Sequence, residues 1–385
     1  MRICHVTPHL PPDQAANALL PYHLGAWARE AGAEVCYLAH PPRAGEPRPQ
    51  PGPVVWIPSR RDRPVAPLGA RAASIARAIG ILRRALPVVA RADLVHVHGN
   101  GLLAETAALA AGLVRKPVVL TLYGTEVWHY APRRVDLFTR AYRRAARVTF
   151  YSRRLLDRAV ELGLDRAGLV AIYPPVPATF TWHDAAARAR LRADFGLGAA
   201  NLLVNVKRLH PLAGQPTLVR AMPLVLAAHP DTELVLCGTG PLQGELEHLA
   251  RELGVSARIR FAGLVENAAV ARYCAAADLF VLPSRLEACP TVAVEALAAG
   301  TPVVSTDNPG GLELHDLFGD DVEVVPRENP EALASAVIAR LAAKRRTRAA
   351  TAGVIEREFR PAVVWNRFRR IYDEARDEAP GRRSS

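Results

Sequence analysis

The feature that most constrains this chain is a rhythm of short apolar runs set between helix-length segments, repeated along 385 residues. From residue 2 onward "RICHVT", "EVCYLA", "VVWIP", "DLVHVH", "PVVLTL", "RVTFY" and "LVAIY" succeed one another. Such runs, alternating with helical stretches, predict a parallel sheet with helices on both faces. After "YPPVPATF" (173 to 180), an extended linker, the rhythm restarts with "NLLVNV", "TELVLCG", "RIRFAG", "DLFVLP", "TPVVST" and "VEVVP". The expected fold class is therefore α/β, with two doubly wound Rossmann-like domains, and the length suits two domains that each bury a core. Open α/β sheets bind ligands at the carboxyl ends of their strands, so two such units facing each other across a cleft would place the chemistry there. The proline-rich "HPPRAGEPRPQPGP" (40 to 53) cannot form a helix and reads as a surface excursion inside the first unit.

Lys+Arg exceed Asp+Glu by 49 − 37 = +12, almost all of it arginine, since lysine occurs only at 116, 207 and 344. The excess favours anionic partners, although the same charge also reads as solvated surface. No helix-turn-helix, zinc or aromatic RNA signature accompanies it, so nucleic acid is not the expected partner. The five cysteines, at 4, 36, 237, 274 and 289, are odd in number and form no CxxC pair. Neither a disulfide framework nor a zinc site is implied. With no membrane-length apolar run and no leader-like start, a cytoplasmic location is expected.

Chemistry is written most densely in "EACPTVAVEA" (287 to 296), where Glu287 and Glu295 stand eight positions apart around Pro290. "DLFVLPS" (278 to 284) reads as a buried strand and "TVAVEALAAG" (291 to 300) as a helix closed by Gly300, with Pro290 in its first turn. A helix start offers free N–H groups and the positive end of the helix dipole, which favour a phosphate or diphosphate. Glu295 would lie roughly 7–9 Å into the helix at 1.5 Å per residue. Carboxylates beside an anion site need a second task, and accepting hydrogen bonds from sugar hydroxyls is one. A nucleotide-sugar carries a sugar on either side of its diphosphate. The bland alternative is a helix N-terminal charge at Glu287 and a solvated one at Glu295.

The stretch "FVLPSRLEACPTVAVEALAAGTPVVST" (280 to 306) resembles the Glu-x7-Glu segment of the retaining glycosyltransferases of family 4, also called group 1, which have the GT-B fold. "VLCGTGPLQGELEHLARELGVSARIRFAGLV" (235 to 265) and "FRPAVVWNRFRRIY" (359 to 372) extend the resemblance over nearly the whole second half. It implies an N-terminal acceptor-side domain of residues 1–178, to which a final helix within 361–385 returns, and a C-terminal nucleotide-sugar-binding domain of residues 179–360. It implies that Glu287 holds hydroxyls of the donor sugar and Glu295 the ribose. Backbone at Ala288, Cys289, Pro290 and Thr291 would line sugar and phosphates. Gly238 and Gly240 would let the chain approach the nucleotide closely, and Gly263, Leu264 and Val265 would face the base.

Departures from the family pattern matter as much. Arg208 in "VNVKRLHPLAGQ" takes the arginine position of the basic motif, but Ala213 stands where a lysine is usual, and Lys207 is the candidate to supply the missing cation. Strand alternation would turn Lys207 away from Arg208 unless the chain has already left the strand there. Ala15, Ala16 and Asn17 replace a glycine pair after the first strand, in a loop where His9, Gln14 and Asn17 are expected on the acceptor side together with Glu126. Tyr123 stands at the end of "VVLTLYGTE" where a histidine is common; with a usual pKa near 10 it donates hydrogen bonds but is a poor base. His96 and His98 share one strand face, and His98, nearer the carboxyl end, is the better site candidate. A satisfied structural histidine is its bland alternative.

No Asp-x-Asp occurs, so metal-independent transfer is expected, with positive charge and helix dipole in place of a metal. The resemblance implies a transferase moving a sugar, with retention, from a nucleotide-diphosphate donor (UDP-sugar favoured, GDP-mannose second) to an acceptor hydroxyl on a sugar, lipid-linked or small-molecule acceptor. Competing readings are a binding subunit that has lost activity and a sugar-nucleotide 2-epimerase. The helix-like "ARAASIARAIGILRRALPVVARAD" (70 to 93) puts Ile75, Ile79, Leu82 and Leu86 on one face with Arg71, Arg77 and Arg84 elsewhere, and "RRVDLFTRAYRRAARV" follows as a second basic helix. Core packing with solvated arginines is one reading of this pair and peripheral contact with the inner face of an anionic membrane is the other.

Overall fold

A computed structural model describes residues 1–13, 15–42, 46, 48–59, 70–131 and 136–378, without the side chains of 70 and 71. Gln14, positions 43–45 and 47 of the proline-rich stretch, 133–135 of the second basic segment and the Arg71 side chain therefore lie outside the described residues. The chain divides into two compact units, residues 1–173 together with the chain from Val364 onward, and Pro174–Val363.

The first unit carries a seven-stranded parallel sheet. Its strands are β1 (Arg2–Thr7), β2 (Glu34–Ala39), β3 (Val54–Trp56), β4 (Leu94–His98), β5 (Val118–Leu122), β6 (Arg147–Phe150) and β7 (Leu169–Ala171). Their order is β3-β2-β1-β4-β5-β6-β7, so the winding reverses between β1 and β4. The second unit has β8 (Asn201–Val206), β9 (Thr232–Cys237), β10 (Ile259–Gly263), β11 (Leu279–Leu282), β12 (Val303–Thr306) and β13 (Val322–Val325), ordered β10-β9-β8-β11-β12-β13 and reversing between β8 and β11. Every run picked out as a strand from its apolar content is one. The central strands are buried almost end to end, β4, β5 and β11 at every position, which is why the runs are continuous.

The final helix, Pro361–Asp377, packs in the first unit, burying Val364, Phe368, Ile371, Tyr372 and Ala375. Arg147 on β6 donates to Glu374 (3.1 Å) and Glu378 (2.5 Å).

The core-packing reading of one helix face is overturned. In the helix Ala70–Arg91, Ile75 and Ile79 are 62% and 46% exposed, and Leu82 and Leu86 only half-buried. The core is met by Ile81, Ala85 and Val89, a stripe spaced by four. Periodicity weighted Ile75 and Ile79, whereas packing selected the stripe that holds Ile81 with the smaller Ala85 and Val89. The helix Leu137–Arg144 does bury Phe138 and Tyr142 and leaves Arg140, Arg143 and Arg144 exposed. Among the described residues no helix is long and apolar enough to cross a membrane.

Candidate functional site

In the second unit the reversal between β8 and β11 separates the loops that leave these two strands, the place where doubly wound sheets bind ligands. The loops touch closely. Gly214 has φ +68 and a Cβ there would lie 1.9 Å from the Pro283 carbonyl oxygen, so no other residue fits. Arg285 N–H donates to Leu212 O (2.8 Å). Gly238, with φ +132, would place a Cβ 2.1 Å from Lys207 O, and Gly240 one 2.2 Å from Leu209 O. These glycines bring β9's end against the Lys207–Leu209 backbone, a close approach within the protein that sequence reasoning had assigned only to a nucleotide.

Strand β8 ends at Val206, so Lys207 has left the pleat. Its Nζ lies 2.6 Å from Glu287 Oε1, with the two side chains 30% and 11% exposed. Arg208 is exposed, and among the described residues no hydrogen bond or ion pair engages its guanidinium. Its carbonyl accepts from Gln215 Nε2 (3.2 Å). Ala213, at the usual lysine position, is 3% exposed inside a short 3-10 turn, Pro211–Ala213. The cations at this mouth are thus adjacent, Lys207 on Glu287 and Arg208 open to solvent.

The loop carrying Glu287 is fixed from below. Ser284 O accepts from Thr306 Oγ1 (2.5 Å) and Asn308 Nδ2 (3.1 Å). At Gly310 a Cβ would sit 2.6 Å from Glu287 Cβ and 2.9 Å from Pro290 Cδ, so the start of the helix Pro309–Phe318 lies directly against the loop. The helix expected at 291–300 spans Thr291–Ala298, and Pro290 precedes it as the capping residue instead of occupying its first turn. No side chain caps it, which leaves its first N–H groups without intrahelical partners. Ala288 is half-buried and Cys289 buried, where desolvation holds its thiol well above the ordinary range. Glu295, on the same helix, is half-buried, and burial pushes its carboxyl up to about 7. No hydrogen bond to that carboxyl group occurs among the described residues. Gly263 adopts φ +66 and accepts from Gly238 N–H (2.7 Å), while Leu264 beside it is 76% exposed and Val265 half-buried.

In the first unit the reversal between β1 and β4 brings three histidines together. His5 pairs in register with His96, and His98 follows two residues on. All three are fully buried. His5 Nδ1 lies 3.0 Å from His98 Nε2, and His98 Nδ1 lies 2.8 Å from the Tyr123 hydroxyl. His96 Nδ1 meets Tyr372 Oη (2.8 Å) and its Nε2 meets Thr121 Oγ1 (2.7 Å), which meets Thr149 Oγ1 (2.6 Å). His98, expected to face the site, has no surface of its own, because both ring nitrogens are taken up inside. It can act only through Tyr123.

Tyr123 is half-buried and packs on Tyr151, ring centroids 4.8 Å apart. Burial raises its hydroxyl well above the usual range, so it stays protonated. Glu126, 6% exposed, accepts from Tyr123 N–H (3.2 Å) and Gly124 N–H (2.9 Å) and so pins the turn after β5. Desolvation is the main cause of its raised pKa. Opposite, a Cβ at Gly99 would lie 2.9 Å from Glu126 Oε1 and 4.0 Å from Asn17 Nδ2, so Asn17 and Glu126 border the same glycine. The Asn17 carbonyl accepts from Thr7 Oγ1, and His9 Nδ1 lies 2.9 Å from Asp13 Oδ2.

Among the described residues, His5, His96 and His98 are the group of titratable side chains whose potential ligand atoms all lie within 4.8 Å of one another. A divalent ion there would sit in a fully buried site with no carboxylate to offset its charge, a costly arrangement. The nitrogens are instead shared among imidazoles and hydroxyls. Sequence reading named His98 and passed over His5, since nothing within "RICHVT" shows that β1 lies against β4.

Two parallel doubly wound units, one with cations, an acid and an uncapped helix start gathered at its switch point, define the GT-B class of glycosyltransferases. The family model for group 1 glycosyl transferases matches residues 188–353, and that for glycosyltransferase family 4 matches residues 21–180. The chain belongs to this family, whose members are transferases that draw on a nucleotide-sugar donor. It is 33% identical over 265 residues to the GDP-mannose-dependent alpha-(1-6)-phosphatidylinositol monomannoside mannosyltransferase of Mycolicibacterium smegmatis, covering 67% of this chain and 69% of that one. It is 33% identical over 274 residues to the glycogen synthase of Mycobacterium tuberculosis, covering 68% and 64%. The sucrose-phosphate synthase of Thermosynechococcus elongatus superposes with a TM-score of 0.76 at 20% identity, over 97% of this chain and 98% of that one, a likeness of fold.

Proposed function

We propose that this chain transfers a hexose from a nucleoside-diphosphate donor to an acceptor hydroxyl with retained anomeric configuration and without a metal ion. The observation that carries the reading is the Lys207–Glu287 pair beside exposed Arg208 and the uncapped start of Thr291–Ala298. Arg208 and the helix start supply positive charge to a diphosphate. Lys207 orients Glu287 so that its second oxygen is free for sugar hydroxyls, and Glu295 accepts from a ribose. The leaving phosphate serves as the base, since Tyr123 cannot. Sequence alone favoured a UDP-sugar; of the two relatives at 33% identity one is named for GDP-mannose and the other, a glycogen synthase, for no donor, so we take GDP-mannose as the donor to try first.

The test is turnover of GDP-mannose by the full chain, with UDP-glucose as comparison and the product's anomeric configuration read by proton NMR. Glu287→Ala is expected to lower kcat by at least about 100-fold, a loss typical of a group that acts in the transition state, and Arg208→Ala to weaken donor affinity. Lys207→Ala adds little to the loss in Glu287→Ala, because the lysine acts through the acid. Activity insensitive to EDTA is expected. Full activity of Glu287→Ala, an inverted product or metal dependence would each refute the corresponding part.

A further inference from the structure

The chain of hydrogen bonds that ends on Tyr123 has a direction. Three imidazoles packed together without surface are held neutral by desolvation, His5 down to about 3 and the others well below their ordinary range. A neutral imidazole donates from one nitrogen and accepts at the other. Each link of the chain His5, His98, Tyr123 therefore fixes the next, and only two arrangements exist.

In one, His98 Nε2–H donates to His5 Nδ1. The His5 proton must then sit on Nε2, and the Tyr123 hydroxyl donates inward to His98 Nδ1. In the other, His5 Nδ1–H donates to His98 Nε2, His98 Nδ1–H donates to the tyrosine oxygen, and the hydroxyl proton is left free. Among the described residues His5 Nε2 is buried with no partner. The first arrangement strands an N–H there and the second only a lone pair. Orphaned buried N–H groups are the rarer defect. The His5 ring stacks on those of Tyr37 (5.4 Å) and His98 (5.3 Å).

We infer that His5 is a positioning residue: by donating to His98 it fixes that ring's tautomer and turns the Tyr123 hydroxyl outward as an obligate hydrogen-bond donor. The group that meets Tyr123 must then be an acceptor, such as a sugar hydroxyl oxygen or a phosphate oxygen. This rests on the proposed transfer reaction, with Tyr123 among the residues that meet substrate. A histidine in the tyrosine's place could take a proton; this hydroxyl, with its lone pair engaged by His98, supplies one.

The experiment is nitrogen-15 NMR of the full chain labelled at histidine, with resonances assigned by single substitutions, beside GDP-mannose kinetics. His98 is expected to carry its proton on Nδ1 and none on Nε2, with His5 also protonated on Nδ1. His5→Asn, whose amide N–H replaces Nδ1–H, keeps the His98 tautomer and kcat within about threefold. His5→Asp, whose carboxylate accepts where Nδ1–H donated, draws the His98 proton to Nε2, turns the Tyr123 hydroxyl inward and lowers kcat about tenfold or more with a smaller change in KM. A proton on His98 Nε2 in the unsubstituted chain overturns the inference, and this result needs no variant to fold. An unaltered kcat in His5→Asp, where Tyr123→Phe is impaired, overturns it as well. Tyr123→Phe separates the two ideas: if it leaves turnover unchanged, the contact of Tyr123 with substrate fails, whatever the tautomer proves to be.

Discussion

Two carboxylates eight residues apart differ in what each one touches. Glu287 has Lys207 at 2.6 Å; Glu295 has no hydrogen-bonding partner among the described residues and is pushed up to about 7 by burial. The sign of the stability effect follows. A carboxyl whose pKa is raised on folding binds its proton more tightly in the folded chain, so folding is favoured below about 4.5 and the benefit is lost as pH rises through about 7. Glu295→Gln removes this cost. It is expected to raise stability by no more than about 1 kcal/mol at pH 5 and by up to about 3 kcal/mol at pH 8, at 1.36 kcal/mol per pKa unit. Donor affinity should fall in the same variant, since a ribose hydroxyl loses its charged acceptor. Calorimetry at both pH values checks the first and donor titration the second. The two acids, Arg208 and the loop between them could be read from residue types and spacing. That Lys207 serves Glu287 could not, because it depends on β8 ending one residue earlier than alternation would need.

The strands declared themselves because a parallel strand covered on both faces admits little but apolar residues. Helix faces were harder. In Ala70–Arg91 alanine is frequent enough that two stripes are apolar, and the side holding Ile75 and Ile79 is the one left in solvent. Neighbouring strands hide their shared content even better: His5 and His96 stand 91 residues apart in sequence and opposite one another in the sheet. Their burial has its own signature. A histidine held neutral in the folded chain gains a proton only on unfolding, so the unfolded state binds more protons below about 6.5 and stability falls as pH falls. Each of the three should cost roughly 1 kcal/mol between pH 6.5 and 5.5, about 3 in all. Urea titrations of the full chain across that range are expected to show this decline. His96→Gln, which keeps an amide toward Thr121 without a titrating ring, should remove about a third of it. A stability flat from pH 6.5 to 5.5 would mean the rings are not buried as a group.

At the scale of the chain, the two units differ in how they are encoded. The second is one continuous stretch, Pro174–Val363, whereas the first needs residues 1–173 and the helix that begins beyond Phe359. That helix is not ornamental to the unit it completes. Tyr372 reaches His96 on β4, Phe368 lies with its ring 5.6 Å from His96, and Glu374 and Glu378 hold Arg147 on β6. Its four large buried side chains, Val364, Phe368, Ile371 and Tyr372, contribute about 1.5–3 kcal/mol each. Together they approach the whole stability of a typical domain, about 5–15 kcal/mol. A fragment of residues 1–173 should therefore fail to fold cooperatively, and the same fragment joined by a flexible linker to residues 364–378 should recover a thermal transition. Residues 174–363 expressed alone should fold without either. Tyr372→Ala in the joined fragment would lose both the ring and the hydroxyl on His96 Nδ1, leaving that nitrogen buried without a partner, at a cost of several kcal/mol. Circular dichroism melts of the four proteins decide the matter: a cooperative transition for residues 1–173 by themselves would show that the last helix decorates the first unit and does not complete it.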